Sequence, residues 1–596
     1  MINNKEVIYL STEVKEMEKT LLDEVNTNVP EAILNKFLTL VRESGSEDEK
    51  TAARFLESYL KEWGVSYTVH EPELYLSVPK SAKLKIINPI EKEFRVKTPA
   101  FSVITGDDSV SGELIYISTG YAKGINDIFG TQLQGDLHDL DGKIILTEGF
   151  PMPGKVQEFA ELGVKAIVFI SPGKNIHEGI CTPIWGAPDL DNMNKEPSIS
   201  VLAINKNDGN ELIQLIEKGP VTAEFETHLE KGWMTCPVMD VFIEGTEEPE
   251  KYVLLHGHLD SWHAGIGDNA TGNAALLEMI RILKKHQGEL KRSVRIAIWT
   301  GHSTGRYGGS TWFADRFGLD LDKNCIAQIN CDSPGCRWAT SYDYMMWTSE
   351  ADEFCQNVIK DAIGQKSKGS RPLRAGDYSF NNIGITSYFM LSSSIPEEVL
   401  KEKGYYSVGG CGANIEWHTE EDLMHVADLE ILVKDIKIYL LGVLRAANAI
   451  IHPFNFVETA KEFQQTIQSY QEKAQKHFDF SLSLQEAILL ERDLVTFYNQ
   501  AEQLKELSIT DPKVKSFNTK IEKLARILIP INFTTKGKFR HDPALNVPPL
   551  PDIAAATGFD QLEEGSHKYK VLKTHLTRGQ NRIIWAMQQA REIINQ

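Results

Sequence analysis

The stretch His256-Gly-His258-Leu-Asp260-Ser-Trp-His263-Ala-Gly-Ile-Gly-Asp268-Asn-Ala-Thr-Gly272 follows directly on the apolar run Tyr252-Val-Leu-Leu255 and precedes Ala274-Ala-Leu-Leu277. An apolar run, then clustered glycines, then a helical pattern reads as a strand, a tight turn and a helix start. Three histidines and two aspartates crowd that turn. Imidazole nitrogen and carboxylate oxygen suit zinc and its neighbours, so the strand end is a candidate metal centre.

Around this stretch, from about residue 236 to 450, strand and helix patterns alternate. Strands are expected at 251–256, 293–299, 325–330 and 384–389, with a helix at 271–285 among the intervening segments. Such alternation predicts an α/β fold, a mainly parallel mixed sheet flanked by helices. Ligands of such sheets gather at the carboxyl ends of the strands, where the opening stretch lies. Residues 11–63 read as helices interrupted at Ser44-Gly-Ser-Glu47, which holds an N-cap candidate, and 64–70 as a strand. From about 98 to 233 the texture shifts to short β runs at 112–117, 143–146 and 166–170, with a helix over 155–162. Beyond 453 the chain is helical. Phe456, Ala460, Phe463, Ile467, Tyr470 and Ala474 form an apolar stripe fit for a bundle seam, and a proline-rich segment at 543–551 precedes a last helix over 572–594.

At 596 residues the chain exceeds what one core can hold and divides into several domains. A formal net charge of -20 argues against non-specific nucleic-acid binding. No apolar run is long enough to span a bilayer. The seven cysteines are odd in number and show no paired spacing, which favours a reducing compartment. The N-terminal residues lack a basic segment followed by an apolar core. The expectation is a cytoplasmic protein with neither nucleic-acid nor membrane partners.

A metal at His258 and Asp268 needs donors from other strand ends. Asp332 follows the strand pattern at 325–330 directly, and His418 lies in Glu416-Trp-His418-Thr-Glu-Glu-Asp422, a polar loop before a helix expected near Asp422. Asp260 is better cast as a carboxylate that orients a ligating imidazole. His256 and His263 are expected beside the metal and not on it, and Cys331 and Cys336 are expected to pack.

In order and context these residues resemble the di-zinc aminopeptidase family of metallopeptidases, above all its transferrin-receptor and glutamate-carboxypeptidase branch. The family's His-x-Asp matches His258 and Asp260, followed by Ser261-Trp262; its bridging aspartate matches Asp268; later ligands match Asp332 and His418. Gly376-Asp-Tyr-Ser-Phe380, then Gly384-Ile-Thr-Ser387, resembles the family's substrate-pocket entry, which makes Arg374, Asp377 and Tyr378 candidate substrate-binding residues. Arg374 meets a substrate carboxylate or braces the loop. The resemblance implies a catalytic domain over 1–97 and 234–452, a protease-associated insert over 98–233 and a helical dimerisation domain over 453–596, hence a homodimer. Read alone, the β-rich stretch also fits an independent domain.

One place departs from that pattern. Where the family carries adjacent glutamates, one the general base and the other a zinc ligand, this chain has Trp299-Thr-Gly-His302-Ser-Thr-Gly305-Arg-Tyr-Gly-Gly-Ser310. His302 and Ser303 stand in their place, with Arg306 and Tyr307 beside them to shape the pocket. One metal position keeps His258, Asp268 and Asp332; the other keeps only Asp268 and His418. One tightly bound divalent metal, zinc first among the candidates, is therefore expected. His302 has three readings: a general base with a pKa near 6.5, a replacement ligand, or a remnant of a lost site. The leading expectation is a metal-dependent hydrolase of peptide or peptide-like amide bonds, with metal-bound water as nucleophile and His302 as catalytic proton acceptor supported by Asp260. The alternatives are a metal-dependent hydrolase or lyase of non-peptide small molecules, and a non-catalytic dimeric receptor-like protein.

Overall fold

The computed structural model describes residues 12–106, 108–128, 137 and 139–596. The N-terminal stretch read above for a leader lies outside the described residues. A six-stranded sheet holds Ser66–His70, Val238–Ile243, Arg292–Trp299, Glu248–His258, Cys325–Asn330 and Thr386–Tyr388, in that spatial order. The last four strands run parallel, and the first two join antiparallel at one edge. Every residue of Arg292–Trp299 and Cys325–Asn330 is buried, as expected of parallel strands covered on both faces. Helix Thr271–Lys285 buries twelve of its fifteen residues against this sheet, and helix Leu429–Asn448 packs close by. Asp428 starts the latter by accepting from the amides of Glu430 and Ile431, so the helix begins seven residues beyond Asp422.

The register puts the candidate site at the strand ends. His258 pairs with Trp299 across two parallel strands, and His256 pairs with Asn330 on the other side. The chain leaves these strands at neighbouring points, carrying His258, His302 and Asp332 to one rim.

A second sheet of eight strands runs Lys92–Phe94, Glu73–Asn88, Val221–Thr235, Val110–Tyr116, Ile144–Glu148, Ala166–Ile170, Ser200–Ile204 and Val96–Lys97. It reaches back to Glu73, ahead of residue 98. The long pair Glu73–Asn88 and Val221–Thr235 is the reason. Leu84 and Ile86 are buried while Lys83 and Lys85 face outward, so this half-exposed strand reads locally as charged surface. The chain ends in a helical region with helices Phe456–Ala474, Ser481–Tyr498, Pro512–Phe533 and His567–Asn595. The stripe from Phe456 to Ala474 is buried at each predicted position. Among the described residues no helix is long and apolar enough to cross a membrane.

Candidate metal centre

His258 is fully buried, and its Nδ1–H donates to the backbone carbonyl of Asp260 at 2.9 Å. A carbonyl only accepts, so the proton sits on Nδ1 and Nε2 is bare. Nε2 lies 3.0 Å from Asp268 Oδ1 and 3.7 Å from Asp332 Oδ1. His418 repeats the arrangement: Nδ1–H donates to the carbonyl of Glu178 at 3.2 Å, and Nε2 lies 3.1 Å from Asp268 Oδ2. Asp268 thus has a bare imidazole nitrogen at each oxygen. Acceptors facing acceptors in a buried setting require a cation between them. With protein groups alone that cation is a proton. Burial pushes His258 down, but Asp260, Asp268 and Asp332 outweigh it and hold it well above 6.5. Asp268, against its burial, is held well below the usual carboxylate range by His258 and His418. This donor set fits a divalent metal of the zinc type.

Two buried side chains fix the turn that presents Asp268. Asp422 accepts from the amides of Gly267 and Asp268 at 2.7 and 3.0 Å. Burial and the nearby Asp268 raise its pKa to about 7, partly offset by those amides and by Arg42. Arg42 donates to the carbonyls of Leu259, Ala264 and Gly265. A Cβ at Gly272 would collide with the Asn269 side chain and the Cys331 carbonyl, which explains glycine there. Sequence reasoning missed Arg42; its only signal is a charged side chain among apolar helical positions 217 residues before Leu259.

Asp260 accepts from Ser44 Oγ at 2.6 Å and from the amides of His302 and Ser303 at 3.3 and 2.8 Å. It braces the His258 strand end against the His302 turn, while the His258 ring donates to its backbone carbonyl and the carboxylate oxygen stands 3.6 Å off. The His302 ring stacks on His258 with centroids 3.8 Å apart and planes 10° from parallel. Its Nδ1–H donates to Asp377 Oδ2 at 2.7 Å, which leaves Nε2 bare in the neutral ring. Burial and His258 lower the His302 pKa; Asp377 and Asp332 outweigh them and bring it above 6.5. Asp377 is held at about 2 against its burial, chiefly by His302. Ligand atoms of His258, His302 and Asp332 lie within 4.8 Å of one another.

The three candidate substrate contacts, Arg374, Asp377 and Tyr378, all lie in the protein interior. Arg374 is buried, donating to the carbonyls of Tyr378 and Asp542 at 2.7 and 2.6 Å, with its guanidinium 3.6 Å above the Trp185 ring. It braces the loop. Asp377 binds His302, and Tyr378 is buried with its ring edge-on to Phe533. Neither lines the cavity beside the metal centre, where Arg306 and Tyr307 do. His256 Nε2 faces Gln328 at 3.0 Å and His263 Nε2 faces Glu178 at 3.1 Å. Cys331 and Cys336 are buried thiols. Residues Phe150, Met152, Glu178 and Ile180 line the same cavity, so the eight-stranded unit borders the site.

Residues 241–437 match the model of peptidase family M28. The chain is 24% identical to carboxypeptidase Q of Xenopus laevis over 311 residues, covering 48% of this chain and 60% of that protein. It is 23% identical to transferrin receptor protein 1 of Gallus gallus over 341 residues, 49% of this chain and 43% of that one. It therefore spans three fifths or less of these relatives. In fold it resembles the M28 peptidase precursor of Shewanella amazonensis SB2B (TM-score 0.56, 17% identity, 74% of this chain and 98% of that one). A zinc aminopeptidase of Bacillus subtilis is also similar (TM-score 0.51, 18% identity, 72% and 95%).

Proposed function

We propose that this protein is a metal-dependent hydrolase of peptide or peptide-like amide bonds, with His302 as the proton acceptor. The observation that carries this reading is the bare Nε2 of His302, held by Asp377 beside the His258–Asp268–Asp332 donor set. Those three residues would hold one divalent metal, zinc first, and His418 would flank it through Asp268. When bound, the metal supplies Lewis-acid polarisation of the amide carbonyl and acidifies a water. His302 takes the proton of the attacking water at Nε2 and returns it to the departing amide nitrogen. Asp377 keeps Nδ1 protonated and offsets the charge that forms on the ring, while Asp260 fixes the His302 amide relative to His258. Trp262 and Trp417, packed on His418, keep bulk water from the site.

A second reading makes His302 a ligand; it is favoured by the 4.8 Å grouping with His258 and Asp332. Elemental analysis of His302→Ala separates the two, since metal is retained if His302 is the base. The hydrolase itself is tested on stripped protein reloaded with zinc, manganese or cobalt and assayed on dipeptides and acylated amino acids. Turnover that survives His258→Ala unchanged would reject it. We also propose self-association through the helical region, where Leu482, Ile488, Val495 and Trp585 are exposed on two neighbouring helices. Light scattering that reads a stable monomer would reject this.

A further inference from the structure

We propose that Arg306 anchors a substrate carboxylate, so that the amides cleaved here are N-acylated amino acids and short peptides attacked at their C-terminal residue. The inference rests on the hydrolase reading above and names its substrate class.

Arg306 lies four residues after His302 and lines the same cavity as His302 and Asp332 while only 5% exposed. Its backbone is fixed: the Arg306 carbonyl accepts from the Gly186 amide at 2.7 Å. Its side chain is underused. Nη2 donates to the carbonyl of Ile180 at 2.7 Å, and the buried Nε has no partner. Among the described residues no carboxylate lies within ion-pair distance of it. Buried Arg374 also has a partnerless Nε, but its two Nη atoms reach carbonyls and it does not line the cavity; the remaining buried arginines are served differently. Arg292 and Arg295 each pair with a carboxylate, and Arg42 reaches three carbonyls. A guanidinium carries five N–H donors, and burying its charge without an anion is costly. A carboxylate is the ligand its planar fork fits best.

The acids around the cavity point the same way. Asp268 and Asp332 face the cation position, Glu178 is held by Lys97 at 2.8 Å and His263 at 3.1 Å, and Asp377 is held by His302. Among the described residues lining the cavity, no acid is left to receive a substrate ammonium. The recognition element beside the proton acceptor is cationic, so it reads the acid end of a substrate.

The test is calorimetric binding of N-methanesulfonyl-leucine and its carboxamide to the full-length, metal-loaded chain, a pair with no hydrolysable acyl amide at nitrogen. The acid is expected to bind about tenfold or more tightly than the amide. That preference should fall to about twofold or less in Arg306→Met and persist in Arg306→Lys. Equal binding of the two probes by the unmodified chain overturns the inference, even if Arg306→Met fails to fold. A preference that survives Arg306→Met also overturns it, because the metal would then be what holds the carboxylate. Hydrolysis is scored separately. A chain that cleaves acyl amino acids and their carboxamides at equal rates loses the Arg306 inference and keeps the hydrolase. A chain that cleaves nothing yet shows the Arg306-dependent preference keeps the inference about binding.

Discussion

Asp377→Asn is the sharpest probe of the proposed chemistry. The substitution keeps the side chain's shape but removes the charge that faces His302 Nδ1 at 2.7 Å in a fully buried setting. Asp377 stands at about 2 against an ordinary 3.8, despite burial that pushes the other way. That difference corresponds to roughly 2.5 kcal/mol of preference for the ion pair. The pair forms fully only when His302 has taken a proton, so the loss falls on the step that transfers it. The expected result is a kcat lower by on the order of 50- to 100-fold, with KM changed little because Asp377 does not line the cavity. Metal content should equal that of the unmodified chain, since His258, Asp268 and Asp332 are untouched. Steady-state kinetics on an acyl amino acid, with elemental analysis of the same preparation, supplies both readings. A variant with unaltered kcat would refute the pairing as a catalytic device. Lost metal would move His302 from proton acceptor to ligand.

His302→Ala, assayed the same way, should lose about 10²- to 10⁴-fold in kcat while keeping its metal. Chelation should abolish turnover and lower the thermal midpoint together, because the cation that binds the folded chain also stabilises it; unchanged melting after complete stripping would count against the site. Arg374→Met should destabilise the chain by about 2 kcal/mol or more through stranded buried carbonyls, with KM unaffected; a raised KM at unaltered stability would restore it as a substrate contact. Glu522, which binds His452 at 3.0 Å and Lys251 at 2.6 Å, is held at about 2 against its burial. A depressed carboxylate contributes stability that is complete above its ordinary 4.5 and lost as pH falls through about 2. Glu522→Gln should therefore cost roughly 3 kcal/mol near neutrality and flatten the acid limb of the unfolding curve; an unchanged acid limb would sink this assignment.

What the sequence made legible divides along physical lines. Strand 325–330 and helix 271–285 were read at their observed limits because a fully buried parallel strand and a helix buried on most of its faces each leave an unbroken local pattern. His258, Asp268, Asp332 and His418 were legible for a related reason. Parallel topology sends successive strand ends to one rim, so order in the chain maps onto neighbourhood in space. Contacts that cross between units left no such trace. Arg374 read as either a substrate arginine or a loop brace because the carbonyl that captures it belongs to Asp542, 168 residues later. The sheet of the eight-stranded unit was cut short at residue 98 because its long outer strand alternates leucine and isoleucine with lysine.

The pairing of His302 with Asp377 belongs to the same class, and it bears on how the site works. Both residues were singled out from sequence, one as a replacement for a glutamate and the other as a substrate contact, 75 positions apart. Together they change what the replacement means. A lone buried imidazole would be pushed toward its neutral form by burial and by the stacked His258, and would return little driving force to a proton-transfer step. With Asp377 behind it, the ring keeps a defined tautomer and a pKa above its ordinary value. A remnant of a lost site has no need of a fully buried carboxylate whose partner is the substituted residue itself.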